Sequence, residues 1–207
     1  MSELLHPWSI EEACFEKGYS AVCGVDEAGA GPLAGDLYGA AVILPAGLVI
    51  EGLNDSKKLS EKKRDALYLQ IIEQAEAYCV ATASVEEIDQ MNILNARMLV
   101  MERAINGLPK KADFALIDGN QNRGITCENE TVIGGDGKSA SIAAASILAK
   151  VVRDRYVVEQ LHNQYPQYQF AKHKGYGTKL HYEMLDAYGP CPVHRITFLK
   201  KWQAKKG

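Results

Sequence analysis

Four acidic residues of this 207-residue chain, Asp26, Glu27, Asp118 and Asp136, follow apolar or glycine-rich segments. Asp26 and Glu27 are adjacent, at the end of the apolar run Ala21-Val-Cys-Gly-Val25, where burial makes charge expensive. Two anions there repel unless a cation cancels them, and the usual agent is a divalent ion with oxygen ligands. Asp118 ends the run Asp113-Phe-Ala-Leu-Ile117 and precedes Gly119-Asn120, while Asp136 sits inside Gly134-Gly-Asp-Gly-Lys138. Acids at strand ends of an α/β fold can meet despite large sequence separation, because ligands gather where those ends converge. Four such carboxylates could hold two magnesium ions, each keeping water and substrate oxygens. Two metals about 4 Å apart serve in-line displacement at a phosphodiester, one lowering the pKa of the attacking water and the other stabilising the leaving oxygen. Each acid also has a plainer role: Asp26 and Glu27 in a solvated turn, Asp118 capping the turn at Gly119, Asp136 as a polar loop residue.

Such acids need a sheet to carry them. Ala21 to Val25 reads as a buried strand, and Gly29, Gly31 and Gly35 after it allow a tight turn and close approach to a ligand. Leu37 to Leu44 reads as a second strand, closed by Pro45-Ala-Gly47. A helix is predicted over Glu61 to Ala77, with Leu67, Ile71 and Ala75 along one face. Tyr78 to Ala83 reads as a third strand, and Ser84-Val-Glu-Glu87 as a capping box. Asn92 to Asn106 continues as a helix ended by Gly107 and Pro109. Asp113 to Asp118 and Thr131 to Ile133 complete the strands. Ser139 to Gln164 is the longest predicted helix, and its serines and alanines suit close packing on a sheet rather than nucleophilic roles. A last helix is expected over Thr178 to Tyr188, stopped by Gly189-Pro190. Alternating strands and helices imply an α/β layer architecture, one catalytic domain over residues 1–207 with its core at about 20–165 and a basic, helical C-terminal extension at about 166–207.

Composition sets the class. The chain is 47% apolar and 24% charged, ordinary for a globular protein. Met1 to Gly18 is broken by acids and Pro7, unlike a signal peptide, and the apolar stretch Gly39 to Ile50 is too short to span a bilayer. Five scattered cysteines, with no Cys-x-x-Cys pair, argue against a disulfide framework or a zinc site and fit a reducing cytoplasm. The five histidines show no His-x-x-x-His spacing. The net charge of −3 hides an asymmetry: residues 150–207 hold 11 of the 23 basic residues but 4 of the 26 acidic ones. A basic C-terminal quarter beside an acidic body suits a polyanion-binding enzyme with a carboxylate centre, or a solvated tail.

A set of ordered motifs narrows this further. Gly24-Val-Asp-Glu-Ala-Gly-Ala-Gly-Pro-Leu-Ala-Gly35, Asn54-Asp-Ser-Lys-Lys-Leu-Ser60, Leu116-Ile-Asp-Gly-Asn120, Gly135-Asp-Gly-Lys-Ser139, Ala143 to Arg155, His173-Lys-Gly-Tyr176 and His194-Arg195 follow one another. This order resembles the prokaryotic ribonuclease HII family, over about Cys23 to Phe198. The resemblance implies a ribonuclease-H-like fold, a mixed five-stranded sheet flanked by helices with C-terminal helices beside the active site. It implies a magnesium- or manganese-dependent endonuclease that cuts RNA paired with DNA, including single ribonucleotides in duplex DNA. Cleavage on the 5′ side of the ribonucleotide leaves a 3′-hydroxyl and a 5′-phosphate. The family's acidic tetrad maps onto Asp26, Glu27, Asp118 and Asp136, and its loop sensing the 2′-hydroxyl onto Gly29-Ala30-Gly31. Tyr176 matches the tyrosine that contacts the 2′-hydroxyl and the next deoxyribose. Lys57, Lys58, Lys138, Lys172, Lys174 and Arg195 are candidate phosphate holders, which position a duplex without reading its sequence. The implied partners are RNA–DNA hybrid and ribonucleotide-containing duplex DNA, acted on by a cytoplasmic monomer with no membrane, alongside replication or repair proteins; the end Lys200 to Gly207 shows no clear sliding-clamp motif.

Two positions depart from the family pattern. Ala30 replaces the usual arginine and cannot make a bidentate phosphate contact, so weaker binding with chemistry retained is expected. Asp36 stands where proline is common; an extra acid there could tune metal affinity or face solvent, and it reads as solvent-facing. The related ribonuclease HIII family also lacks that arginine and prefers RNA tracts, but 207 residues leave no room for its extra N-terminal domain. Three functions therefore compete: a ribonucleotide-directed endonuclease, an enzyme preferring RNA tracts, and a catalytically weak hybrid-binding protein. Retention of all four acids counts against the last.

Overall fold

The computed structural model describes residues 8–205, so the readings over Met1 to Gly18 and over Lys200 to Gly207 fall partly outside it. Five strands, β1 (Val22–Ala28), β2 (Leu37–Ile43), β3 (Ala77–Ala83), β4 (Phe114–Asp118) and β5 (Asn129–Val132), form one sheet in the order β3-β2-β1-β4-β5. β1 pairs antiparallel with β2, and β2 with β3, whereas β1–β4 and β4–β5 are parallel. This is the mixed five-stranded sheet expected. β1 runs on past its apolar residues, because Ala28 still pairs with Tyr38. Asp26 and Glu27 therefore lie within the strand, not in a turn after it.

The main helices are α1 (Ser9–Glu16), α2 (Glu61–Gln74), α3 (Val85–Met91), α4 (Ile93–Asn106) and α5 (Ala140–Tyr156). α2 stops before the predicted Ala77, which instead opens β3 by pairing with Ile43. The Ser84 capping box at α3 forms as read, its side chain accepting from Glu87 N and the Glu87 carboxylate accepting from Ser84 N. α5 and α4 cover opposite faces of the sheet. On one, Ala144, Ala145, Ile147, Leu148 and Val151 pack with Ala28, Ala40 and Val42; on the other, Met101, Ala104 and Ile105 pack with Cys23, Val25, Ala41 and Ile43.

α5 lies unusually close to β1. A Cβ at Gly24 would fall on the backbone of Ser141 and Ile142, so only glycine fits, and the alanine-rich turn that follows keeps the helix seated there. Its N-terminus is capped twice. Ser139 Oγ accepts from Ile142 N, and the buried Glu11 of α1 accepts from Ser141 N at 2.9 Å and from both serine hydroxyls. An anion at this end opposes the helix dipole favourably, and the serines act in capping and packing. After Tyr156 the chain remains helical through a π-turn at Val157–Leu161 to Gln164, as the long-helix reading required.

The C-terminal segment, with helices Phe170–His173 and Lys179–Tyr188, docks through Val157, Leu161, Tyr168, Phe170, Leu185 and Leu199 onto Leu33 and Ala34. Backbone bonds hold the glycine loop to it: Leu33 N donates to Gly175 O, Gly35 N to Val193 O, and Arg195 N to Leu33 O, each at 2.8 Å. Among the described residues no helix is long and apolar enough to cross a membrane, and all five cysteines are free.

Candidate active site

Side chains alternate across a strand, so adjacent Asp26 and Glu27 leave β1 on opposite faces. Asp26 shares the α5 face with Gly24 and Ala28, and Glu27 shares the α4 face with Cys23 and Val25. In the parallel β1–β4 pair Val25 stands opposite Ile117, which sets Asp118 beside Asp26 one residue further along. Asp118 Oδ1 accepts from Gly135 N at 2.8 Å and Asp136 N at 3.4 Å, and this draws in the 3-10 turn Gly135–Gly137. Oxygens of Asp26, Asp118 and Asp136 thereby lie within 4.8 Å of one another.

The electrostatics of this group ask for a cation. Burial, then the charges of Glu27 and Asp118, push the Asp26 carboxyl well above its usual range. Asp136 is pushed up by burial and by Asp118, against the pull of Lys57, whose Nζ lies 3.4 Å from Asp136 Oδ2. Burial also raises Glu27, opposed chiefly by Arg97 of α4. Its Nη2 donates to Glu27 Oε2 at 3.1 Å, and its Nε lies 2.8 Å from Oε1 as an ion-pair contact that is not aligned as a hydrogen bond. Three convergent, mutually repelling carboxylates are hard oxygen donors that fit magnesium or manganese.

A second group is built by the glycine loop. Gly29 has φ +103°, and a Cβ there would collide with the Arg153 side chain, so glycine is required on two grounds. Gly31 is exposed, and its missing Cβ would sit 3.6 Å from Tyr176 Cε1. Tyr176 is 41% exposed, with Lys150 Nζ 5.6 Å and Arg153 Cζ 5.8 Å from its ring centroid. Beneath this pairing lie three buried histidines. His194 Nδ1 accepts from Cys191 N, which leaves its Nε2–H to donate to His181 Nε2 at 3.0 Å and His181 Nδ1–H to donate to the Tyr176 carbonyl at 3.0 Å. His173 stacks on His181, bonded to Tyr168 O and Gly175 N. Burial lowers all three, His181 and His194 to about 4, so they are neutral.

The family model for ribonuclease HII matches residues 23–201. The chain belongs to the ribonuclease HII family. It is 50% identical over 200 residues to the ribonuclease HII of Caldicellulosiruptor bescii, covering 97% of each chain. The ribonuclease HII of Dechloromonas aromatica is 58% identical over 177 residues, 86% of this chain and 90% of that one. Among solved structures, ribonuclease H2 from Pyrococcus horikoshii OT3 is similar with a TM-score of 0.71 at 28% identity, covering 86% of this chain and 93% of that one. The protein is thus an endoribonuclease of the ribonuclease H type, with the fold its motifs imply.

Within this ribonuclease HII framework the expected site residues are placed unevenly. Asp26, Asp118 and Asp136 converge, while Glu27 faces Arg97. Gly29, Ala30 and Gly31 lie in one loop with Tyr176 against it, and Lys57 reaches Asp136. Lys138, Lys174 and Lys172 donate to Ile133 O, Ala171 O and Gln169 Oε1, while Lys58 Nζ is 3.9 Å from Asp55 Oδ2. Arg195 corrects the sequence reading. It is fully buried, donating through Nε and Nη2 to Gly35 O and through Nη1 to Ala30 O, so it braces the loop from below and offers no donor to a phosphate. Asp36 is a second correction: it is half-buried and accepts from Val85 N at 3.1 Å, capping α3 instead of facing solvent. Arg97, Arg153 and the histidine group escaped the sequence reading. Arg97 and His181 lay outside the quoted motifs, whereas Arg153, His173 and His194 lay inside them with nothing there to single them out.

Proposed function

We propose that this enzyme hydrolyses the phosphodiester on the 5′ side of a ribonucleotide paired with DNA, including a single ribonucleotide in duplex DNA, leaving a 3′-hydroxyl and a 5′-phosphate. The observation that carries this reading is the convergence of Asp26, Asp118 and Asp136 oxygens within 4.8 Å of one another, in a chain of the ribonuclease HII family. Magnesium or manganese held by these carboxylates, with Glu27 as the fourth, would supply the activated water and stabilise the leaving oxygen. The protein's own part is positional. Asp118 locks the Asp136 turn by accepting from its backbone. Lys57, largely exposed, offsets charge at Asp136.

Substrate choice falls to the second group. A 2′-hydroxyl is the local mark of RNA, and the exposed Gly31 backbone beside the Tyr176 ring offers rigid polar groups and a flat face for a sugar. The buried Arg153 and Arg195 hold this loop at fixed height, Arg153 also bonding the Lys174 carbonyl at 3.0 Å. Ala30 is half-buried and brings no charge to the loop surface. That favours a second reading, a preference for RNA tracts over isolated ribonucleotides.

Asp118→Asn tests the site. Asparagine keeps an acceptor for Gly135 N, so the fold and duplex binding should persist while cleavage falls to background. Substantial turnover in that variant would remove Asp118 from the chemistry.

A further inference from the structure

Glu27 stands apart from the other acids. It leaves β1 on the α4 face, and Arg97 engages both of its carboxylate oxygens, at 2.8 and 3.1 Å. The three-carboxylate group does not include it. Arg97 is not part of the core: its side chain is 25% exposed, and its Nη2 lies 3.8 Å from where a Gly119 Cβ would be, next to Asp118. A charge-assisted guanidinium–carboxylate bond is stronger than a neutral one, and arginine cannot shed its charge to release its partner. A cation that needs a Glu27 oxygen therefore competes with Arg97 for that carboxylate.

We propose that Arg97 is a positioning clamp on Glu27, which keeps the resting enzyme a three-carboxylate, single-cation site and makes a second cation wait for Glu27 to be released. The proposal rests on the reading of the acid group as a cation centre and adds an order of filling to it. Its size follows from population arithmetic. If the clamp is closed in about 90% of resting molecules, the second cation binds about tenfold more weakly than an open site would allow, and about 99% closure makes that about a hundredfold. A purely structural ion pair joining α4 to β1 would leave cation binding untouched.

The test is a manganese titration of the full-length, substrate-free protein, with free Mn²⁺ read by electron paramagnetic resonance. The wild type should bind one ion tightly and a second at least about tenfold more weakly. Arg97→Ala should leave the first site unchanged and tighten the second by about tenfold or more, and Glu27→Gln should keep the first site and lose the second. Arg97→Lys, which keeps a charge without the planar guanidinium, should fall between and serves if the alanine variant does not fold, as judged by circular dichroism. An Arg97→Ala isotherm that superposes on the wild type, or a wild type that binds two ions equally, overturns the clamp while leaving the cation centre standing. A wild type that binds no Mn²⁺ overturns the cation centre and the clamp together.

Discussion

At Asp26 burial and repulsion act in the same direction. The side chain is 4% exposed, accepts one bond from Glu27 N, and faces Asp118 across the strand pair. Such a charge costs stability without a cation, the usual trade of an active site. Asp26→Asn should therefore raise the melting temperature of the metal-free protein, by about 2–4 °C for each kcal/mol relieved, and abolish cleavage. Added magnesium should raise the melting temperature of the wild type and do little for the variant. A variant that melts below the wild type without metal would contradict the uncompensated charge. At this scale the acids were legible because each follows an apolar or glycine-rich run, a pattern visible in the chain. Arg97 was not, since its partner lies 70 residues away and a single arginine on a helix has no local mark. Arg195 was misread because a basic residue in a basic segment looks like surface. Its burial depends on carbonyls of Gly35 and Ala30, which sequence does not display.

The element that organises the site is α5 on β1. Its contact places the Asp26 face of the strand at a set depth, and its last turns carry Lys150 and Arg153 to the ring of Tyr176. Gly24→Ala would push a methyl into the backbone of Ser141 and Ile142, where no side chain can rotate away. A loss of about 1–3 kcal/mol is expected from such overpacking, read by urea unfolding; an unchanged midpoint would show that the helix can shift freely. Strand and helix identities were legible from periodicity and capping, as the Ser84 box shows. The boundaries that moved did so through pairing. Ala77 left a helix for β3 because Ile43 was there to bond it, and β1 reached Ala28 because Tyr38 did the same.

Over the whole molecule, two buried groups titrate in opposite senses. His181 and His194, held at about 4, have an unfolded value near 6.5, so the unfolded chain binds more protons between these values. Their contribution is complete above about pH 6.5 and is lost as pH falls toward 4, by about 3 kcal/mol for each full shift. Asp26, Glu27 and Asp136 are raised, so acidification relieves them and partly offsets that loss. His194→Gln should flatten the decline in unfolding free energy between pH 6.5 and 4 relative to the wild type; parallel profiles would contradict neutral histidines. Residues 173, 181 and 194 show no repeating spacing, so only the docking of the C-terminal segment reveals them as a group. The basic quarter was legible as a charge excess, yet Arg153 and Arg195 turn inward to hold the loop. The most direct measurement is cleavage of a labelled DNA duplex containing one ribonucleotide, beside an all-DNA control and an RNA-tract hybrid, in magnesium and then manganese. A cut on the 5′ side of the lone ribonucleotide with the control intact is the expected result. Cutting of the tract alone would contradict recognition at a single ribonucleotide, and silence on both in either metal would contradict the carboxylate centre as a nuclease.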